Sequence, residues 1–559
     1  MMALASFFCS AGILPAVAGA SCPRKWRRDS AMTAAGTAAL LGLRVFSTMG
    51  ITFDVFCQKT SAFFLLALCT LTLAGCSGSS STASVPTQPG NPVGANLTQI
   101  SSDPFTIAPG QHATEVEPHM FANGSTFVAA FQAGRIPAGG ATAIGWATST
   151  DGGTSWSRGF LPGLTKGEGS GPYDAASDPA VAYDAKHGIW MIATLPLSST
   201  LATPAVAVSR SSDGLTWENP VSADPSGTNS DKNWIVCDGW ASSPHYGNCY
   251  LEWDDSLNHD EILMSTSTDG GITWGAATPT ANLAQGIGGQ PLAQPNGTVV
   301  VPIETSEMSA FSSSDGGLSW TAPVTISNIQ LHGDAGGIRS GALPSAAVDG
   351  AGTVWTVWED CRFRSGCSTN DLVYSTSTDG VTWSAVTRIP IDDPSGTVDH
   401  FIPGIGIDPA TSGAGAHVAL HYYSYPQSSC TVSTCQLIVG YISSANGGST
   451  WNTPVALTGP MLLGWLPQSQ NGLMVGDYIA TAFTNGVPHG VFAVATAISG
   501  TTFSEAIYTA QGLNVTAAGR QLSSAHDKPL HNLSDAIEKE LPEKGVIPPQ
   551  RRRNRRSTK

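Results

Sequence analysis

Between residues 110 and 510 one arrangement of apolar and polar positions recurs. A short, mostly apolar run opens each copy and ends in Asp or Asn. The first three are Glu117-Pro-His-Met-Phe-Ala-Asn123, Asp178-Pro-Ala-Val-Ala-Tyr-Asp184 and Lys232-Asn-Trp-Ile-Val-Cys-Asp238. Residues 290–296, 343–349 and 402–408 repeat the layout and close on Asn296, Asp349 and Asp408. Each opening run is followed by a second run, a loop, a third run, a turn rich in Gly and a fourth run. Runs of this length between Gly, Asn and Asp are strand signals. A seventh copy starts at Gly476-Asp477-Tyr478, turns at Asn485-Gly486 and continues from Gly490 to Ala497. The pattern predicts an all-β chain of seven four-stranded antiparallel sheets over residues 97–519, with six as the alternative. Residues 97–107 are expected to supply a strand that closes the set.

The turn before the fourth run has its own signature. Ser149 to Trp156 reads STDGGTSW, Ser267 to Trp274 STDGGITW, and Ser313 to Trp320 SSDGGLSW. Ser211 to Trp217 and Ser377 to Trp383 are one residue shorter. Ser444 to Trp451 carries Asn446 where the others carry Asp151, Asp213, Asp269, Asp315 and Asp379. The closing tryptophans, Trp156, Trp217, Trp274, Trp320, Trp383 and Trp451, are 61, 57, 46, 63 and 68 residues apart. A signature at such a period marks a repeat architecture. Ser and Asp side chains can bond the turn's own backbone. The glycines take the positive φ of a tight hairpin, and the Trp can bury a large surface.

These six turns resemble Asp-box (BNR) repeats, found in sialidases and related β-propellers. The resemblance covers about residues 110–510. It implies a propeller whose boxes join the third and fourth strands of each blade, on the face away from the active site. The Asp, Asn and Trp residues of the boxes are therefore read as structural.

In a propeller the first strand leaves the mouth of the pore and the second returns to it. Starts of first strands and ends of second strands thus converge. The starts give Glu117, Asp178, Asp231-Lys232, Gln290, Asp399-His400 and Asp477-Tyr478, with Arg339 just ahead of its strand. The ends give Gln132 to Arg135, Glu252 to Asp255, Glu304, Glu359-Asp360 with Arg362, and His421-Tyr422-Tyr423. Carboxylates, arginines and aromatics around a concave mouth suit a sugar. Glycoside cleavage takes a carboxyl pair; the resemblance adds a Tyr nucleophile activated by Glu, an acidic Asp, and three arginines on the substrate carboxylate. Glu117, Asp178, Glu359 and Tyr422 are the candidates for chemistry. Arg135, Arg339, Arg362, Lys232, His400 and Asp477 are the candidates for substrate binding. Arg135-Ile136-Pro137 departs from the sialidase R-I-P pattern, which belongs on the first strand of the first blade. The expected function is glycoside hydrolysis on glycans; the alternatives are a non-catalytic glycan- or protein-binding propeller, and a polysaccharide lyase using His400 with Tyr422 or Tyr423. No metal or cofactor is called for by a motif, although Ca²⁺ could join the mouth's acidic groups.

Of 559 residues only 12% are charged, with 62 Gly and 15 Trp, which suits a turn-rich extracytoplasmic β protein. A net charge of −15 argues against nucleic acid as partner. Residues 61–75 form an apolar run of signal-peptide length ending in Leu73-Ala74-Gly75-Cys76. This resembles a bacterial lipobox, which implies lipidation of Cys76, loss of 49–75, and anchoring in the cell envelope; the chain is expected to be a monomer. Residues 1–48 are read as a mis-called or removed extension. Residues 77–96, rich in Ser, Gly, Thr and Pro, read as a flexible tether. Residues 520–559 read as a basic tail with one short helix. Six cysteines follow the lipobox in close pairs, Cys237/Cys249, Cys361/Cys367 and Cys430/Cys435, and local pairing is the simplest of their connectivities.

Overall fold

The computed structural model describes residues 96–224 and 229–515. The leader, the signal segment with Cys76, nearly all of the tether and the basic tail lie outside the described residues.

The described chain is all-β, with a few single-turn 3₁₀ segments. It is built from antiparallel four-stranded repeats in which consecutive strands pair. The first repeat comprises Gln111–Asn123, Thr126–Arg135, Ala141–Ser149 and Ser157–Phe160. First strands of the next five repeats are Ala175–Asp184, Ser230–Cys237, Leu292–Ala293, Ser345–Val348 and Asp399–Ile407. A seventh group runs Ala480–Thr484, Val487–Ala495 and Glu505–Gln511, and its fourth strand is Asn96–Gln99 from the other end of the chain. Single residue pairs, Thr114 with Glu505 and Ala141 with Ala176, connect the seventh, first and second groups into one twelve-stranded sheet.

Each first strand lies against the first strand of the next repeat, and the seventh lies against the first. The sheets bury their faces on one another, so the core is a set of apolar layers between repeats. Met191 and Ala193 of the second repeat meet Leu251 and Trp253 of the third. Val357 and Leu372 of the fifth meet Ile405 and Val418 of the sixth. Phe127 and Phe131 of the first meet Val491 and Phe492 of the seventh. Each Val, Leu, Ile, Met or Phe among them contributes roughly 1.5–3 kcal/mol of burial free energy.

First strands from all seven groups line a central cavity of about 370 Å³. Phe121, Tyr183, Trp234, Leu292, Ile405 and Phe483 are among its walls. All three local disulfides form as expected: Cys237–Cys249, Cys361–Cys367 and Cys430–Cys435. The first ties a first strand to its second; the other two close loops.

Candidate functional site

Three neighbouring first strands carry the same local irregularity. Pairing with the second strand slips between Val116 and His119, between Ser177 and Ala180, and between Asp231 and Trp234. Within each slip one side-chain-bearing residue adopts a left-handed backbone: Glu117 (φ 53°), Asp178 (φ 49°) and Lys232 (φ 51°). A bulge re-aims a side chain out of the strand's alternation. Pro118 and Pro179, lacking an N–H, are tolerated where the ladder is already broken. Non-glycine residues with positive φ cost free energy and concentrate at functional positions. Ile402 (φ 48°) repeats the geometry in the sixth repeat with an apolar side chain.

The three bulges deliver Glu117, Asp178 and Lys232 to one recess, together with Gln132, Arg135 and Arg339. The recess encloses about 40 Å³, room for a few water molecules and too little for a sugar ring. Asp477 reaches the same cluster from the segment leading into the seventh group. Arg339 Nε donates to Asp477 Oδ1 at 2.6 Å, and Lys232 Nζ donates to Asp477 Oδ2. Lys232 Nζ also lies 3.7 Å from Asp178 Oδ1. Gln132 Nε2 donates to Glu117, and the Asp477 N–H points at Glu117 Oε1 at 3.4 Å.

The buried carboxyls of this cluster are driven apart. Burial, then the negative charges of Asp178 and Asp477, push Glu117 up to about 8. Burial also opposes ionisation of Asp477, but the Arg339 and Lys232 charges overcome it and hold that carboxyl far below its usual range. For Lys232, burial works against the ammonium; Asp477 and Asp178 outweigh it and raise the group above an ordinary lysine. At neutral pH Glu117 therefore carries a proton while Asp477 and Lys232 are charged.

The remaining sequence candidates lie elsewhere or face differently. Arg135 lines the recess, yet it is buried and its Nη1 donates to the carbonyls of Ile136 and Gly140, the latter at 2.6 Å. Arg362 is turned onto Asp360, with Nε to Oδ1 at 2.8 Å, and onto Ser327 Oγ at 2.8 Å. The structure thus brings Arg135 and Arg339 together and leaves Arg362 out. Tyr422 is buried in the apolar layer between the fifth and sixth repeats, its ring 5.8 Å from that of His400. His400 is buried too, with Nδ1 3.1 Å from the Asn370 carbonyl oxygen. Glu359 joins a second acidic group with Asp334 and Asp399. That group includes His332, Asp334 and Tyr425, which no motif had marked.

The six serine–aspartate turns sit at the far ends of the third strands, each joining a third strand to a fourth. The Ser hydroxyl donates to Oδ1 of the Asp or Asn at 2.8–3.0 Å in all six. It also accepts a glycine N–H at 2.8–3.0 Å in every copy. Hydrogen bonds from Ser155 and Ser149 lower Asp151 to about 2. Asn446 keeps the pattern because its Oδ1 accepts the Thr450 N–H at 2.9 Å, while its Nδ2 donates to the Thr450 hydroxyl at 2.7 Å.

No family model matches the chain, and no curated protein matches it. Among solved structures it is similar to the NanB sialidase from Streptococcus pneumoniae, at 14% identity and a TM-score of 0.38, covering 75% of this chain and 71% of that one. A protein of unknown function from Dyadobacter fermentans is similar at 13% identity and a TM-score of 0.38, over 76% of this chain and 99% of that one. The intramolecular trans-sialidase from Ruminococcus gnavus is similar at 14% identity and a TM-score of 0.34, over 77% and 99%.

Proposed function

We propose that the chain is a seven-bladed Asp-box propeller, anchored in the cell envelope through a lipid on Cys76, that hydrolyses glycosidic bonds at the recess of Glu117, Asp178, Lys232 and Asp477. One observation carries the reading. Three successive first strands each spend a left-handed bulge on a charged side chain, and all three converge on one point of the pore mouth. Glu117 is held protonated at neutral pH, the state a general acid of a glycosidase needs, and Asp178 lines the same recess.

In this reading Glu117 donates its proton to the leaving oxygen. Asp178 is the second carboxylate, facing the sugar carbon or the attacking water. Lys232 and Arg339 hold Asp477 and fix the charge balance around the pair. The recess admits a water or a leaving oxygen, so the sugar ring lies above it. Arg362 has no part, and a three-arginine grip on a substrate carboxylate is not assembled.

A second reading, a binding propeller without chemistry, draws on a different observation: Glu117 is only 1% exposed, and Asp477 is neutralised by two cations. Turnover assays of the purified chain separate the two. The panel is fluorogenic α-sialosides, neutral exo-glycosides and uronic-acid polymers. Hydrolysis lost in both Glu117→Gln and Asp178→Asn, with unchanged melting, supports the hydrolase. Silence across the panel together with binding on a glycan array moves the assignment to the binding propeller.

A further inference from the structure

Three groups of acidic residues at the mouth differ in how their charge is balanced. Asp477 is matched by Arg339 and Lys232. Asp371 and Asp392 are bridged by Arg364 and Arg388, each arginine reaching both carboxylates. The group of His332, Asp334, Asp399 and Glu359 is different: the charges acting most strongly on Glu359 are those of Asp334, Asp399 and Glu304, all acidic.

We propose that His332, Asp334 and Asp399, backed by Glu359, bind one divalent transition-metal cation. The ligand atoms of the first three all lie within 4.8 Å of one another, and His332 Nδ1 is 3.1 Å from Asp399 Oδ2. Ligands about 2.1 Å from a shared ion stand ~3.0–3.4 Å apart, so this pair already has the spacing of one edge of a coordination shell. A single residue positions all three. Asn370 accepts the His332 N–H at 2.8 Å and donates through Nδ2 to the His332 carbonyl at 2.8 Å and to Asp334 Oδ1 at 3.3 Å. Its own N–H donates to Asp399 Oδ1 at 2.5 Å. Hydrogen bonds from a residue behind the ligands in this way hold metal ligands in place.

Tyr425 supplies the independent sign of a ligand, beside Glu359. Glu359 is fully buried, with the Ile402 N–H as its hydrogen-bond donor. The buried hydroxyl of Tyr425, close to Asp334 and Asp399, has no hydrogen-bond partner. Buried polar groups are ordinarily satisfied, and this buried hydroxyl, without a partner beside two carboxylates, calls for one. A divalent ion between Asp334 and Asp399 supplies it. One imidazole nitrogen with carboxylate oxygens favours Mn²⁺ or Zn²⁺ over Ca²⁺, which takes six to eight oxygens. Asp334 and Arg339 belong to the same loop, so the ion would also hold Arg339 against Asp477.

Titration calorimetry of the full chain with MnCl₂ and with ZnCl₂, after chelation and dialysis, tests the site. One ion per chain is expected, with a higher melting temperature on loading. His332→Ala, a half-exposed position that the fold tolerates, is expected to weaken binding about 10–100-fold, and Asp334→Asn to weaken it similarly. Failure of both ions to bind, or binding unaltered in both variants, overturns the site. The readout is ion binding, so its outcome is separate from that of the sugar-turnover assay.

Discussion

Arg339 and Asp477, 138 residues apart in sequence, meet in a two-point pair: Nε donates to Oδ1 at 2.6 Å and Nη2 donates to Oδ2. The pair ties the loop ahead of the fifth repeat to the segment entering the seventh. The Asp477 side chain is fully buried, so it cannot turn to water if its partner is removed. Breaking a buried pair on one side costs about 3–5 kcal/mol, because the remaining charge is left uncompensated. Lys232 still faces Asp477, which places Arg339→Ala toward the lower end. Urea unfolding checks this, and a loss below about 1 kcal/mol would mean that water screens the pair.

Glu117 and Asp477 set the pH range of any proton transfer here. Glu117 is raised to about 8 by burial and then by Asp178 and Asp477, so it holds its proton through neutrality and loses it above that value. A proton donor of this kind gives a kcat/KM that is level near neutral pH and falls on the alkaline side with a midpoint near 8. Glu117→Gln removes both the turnover and the limb. An alkaline limb that persists unchanged in the variant would assign the proton to another group.

The serine–aspartate turns make a stability prediction. Trp320 is 3% exposed and packs on Tyr250 and Phe311 with ring centroids 6.1 and 5.7 Å away. Trp320→Ala is expected to cost about 3–5 kcal/mol. Trp274 is only half-buried, although it packs on the layer between the second and third repeats, so Trp274→Ala costs less. Both rings lie at the ends remote from the recess. Activity per folded molecule is therefore expected to be unchanged in both, and a drop in either would connect the turns to the site.

The repeating turns were legible in the sequence because their chemistry is local. Ser, Asp and Gly at fixed spacing bond to the backbone of the same turn, and the structure shows those bonds in all six copies. Glu117 and Asp178 were read as starts of first strands, but those strands begin earlier, at Gln111 and Ala175, and the two residues sit at bulges inside them; with Lys232 they do share one recess. What the sequence hid is not local. The left-handed bulges at these residues break the period-two alternation from which facing is read. Arg339 lies ahead of a strand and meets Asp477 only through the closed fold. Tyr422 was placed at the mouth by its position in the chain, but alternation within Val418–Tyr425 turns it into the layer with Ile405 and Trp355. Tyr425 and the loop residues His332 and Asp334 carried no motif at all.

Closure by the strand from the other end gives the last prediction. The Ser101 hydroxyl donates to Glu115 at 3.0 Å, beside the fully buried Glu505. Burial is the main cause that raises Glu115 to about 8 from an ordinary value of 4.5. In the folded chain this carboxyl stays protonated up to about 8; in the unfolded chain it ionises above 4.5. Between those values the unfolded state binds fewer protons, so stability falls as pH rises, by up to about 1.4 kcal/mol per pH unit for one such group. Below 4.5 both states are protonated and the slope vanishes. Glu115→Gln cannot ionise, so its stability is expected to decline less between pH 5 and pH 8 than that of the unaltered chain. Urea midpoints at the two pH values measure the difference. Equal declines would show that Glu115 is reached by water in the folded state, and that the seam between Asn96–Gln99 and Glu505–Gln511 is open there.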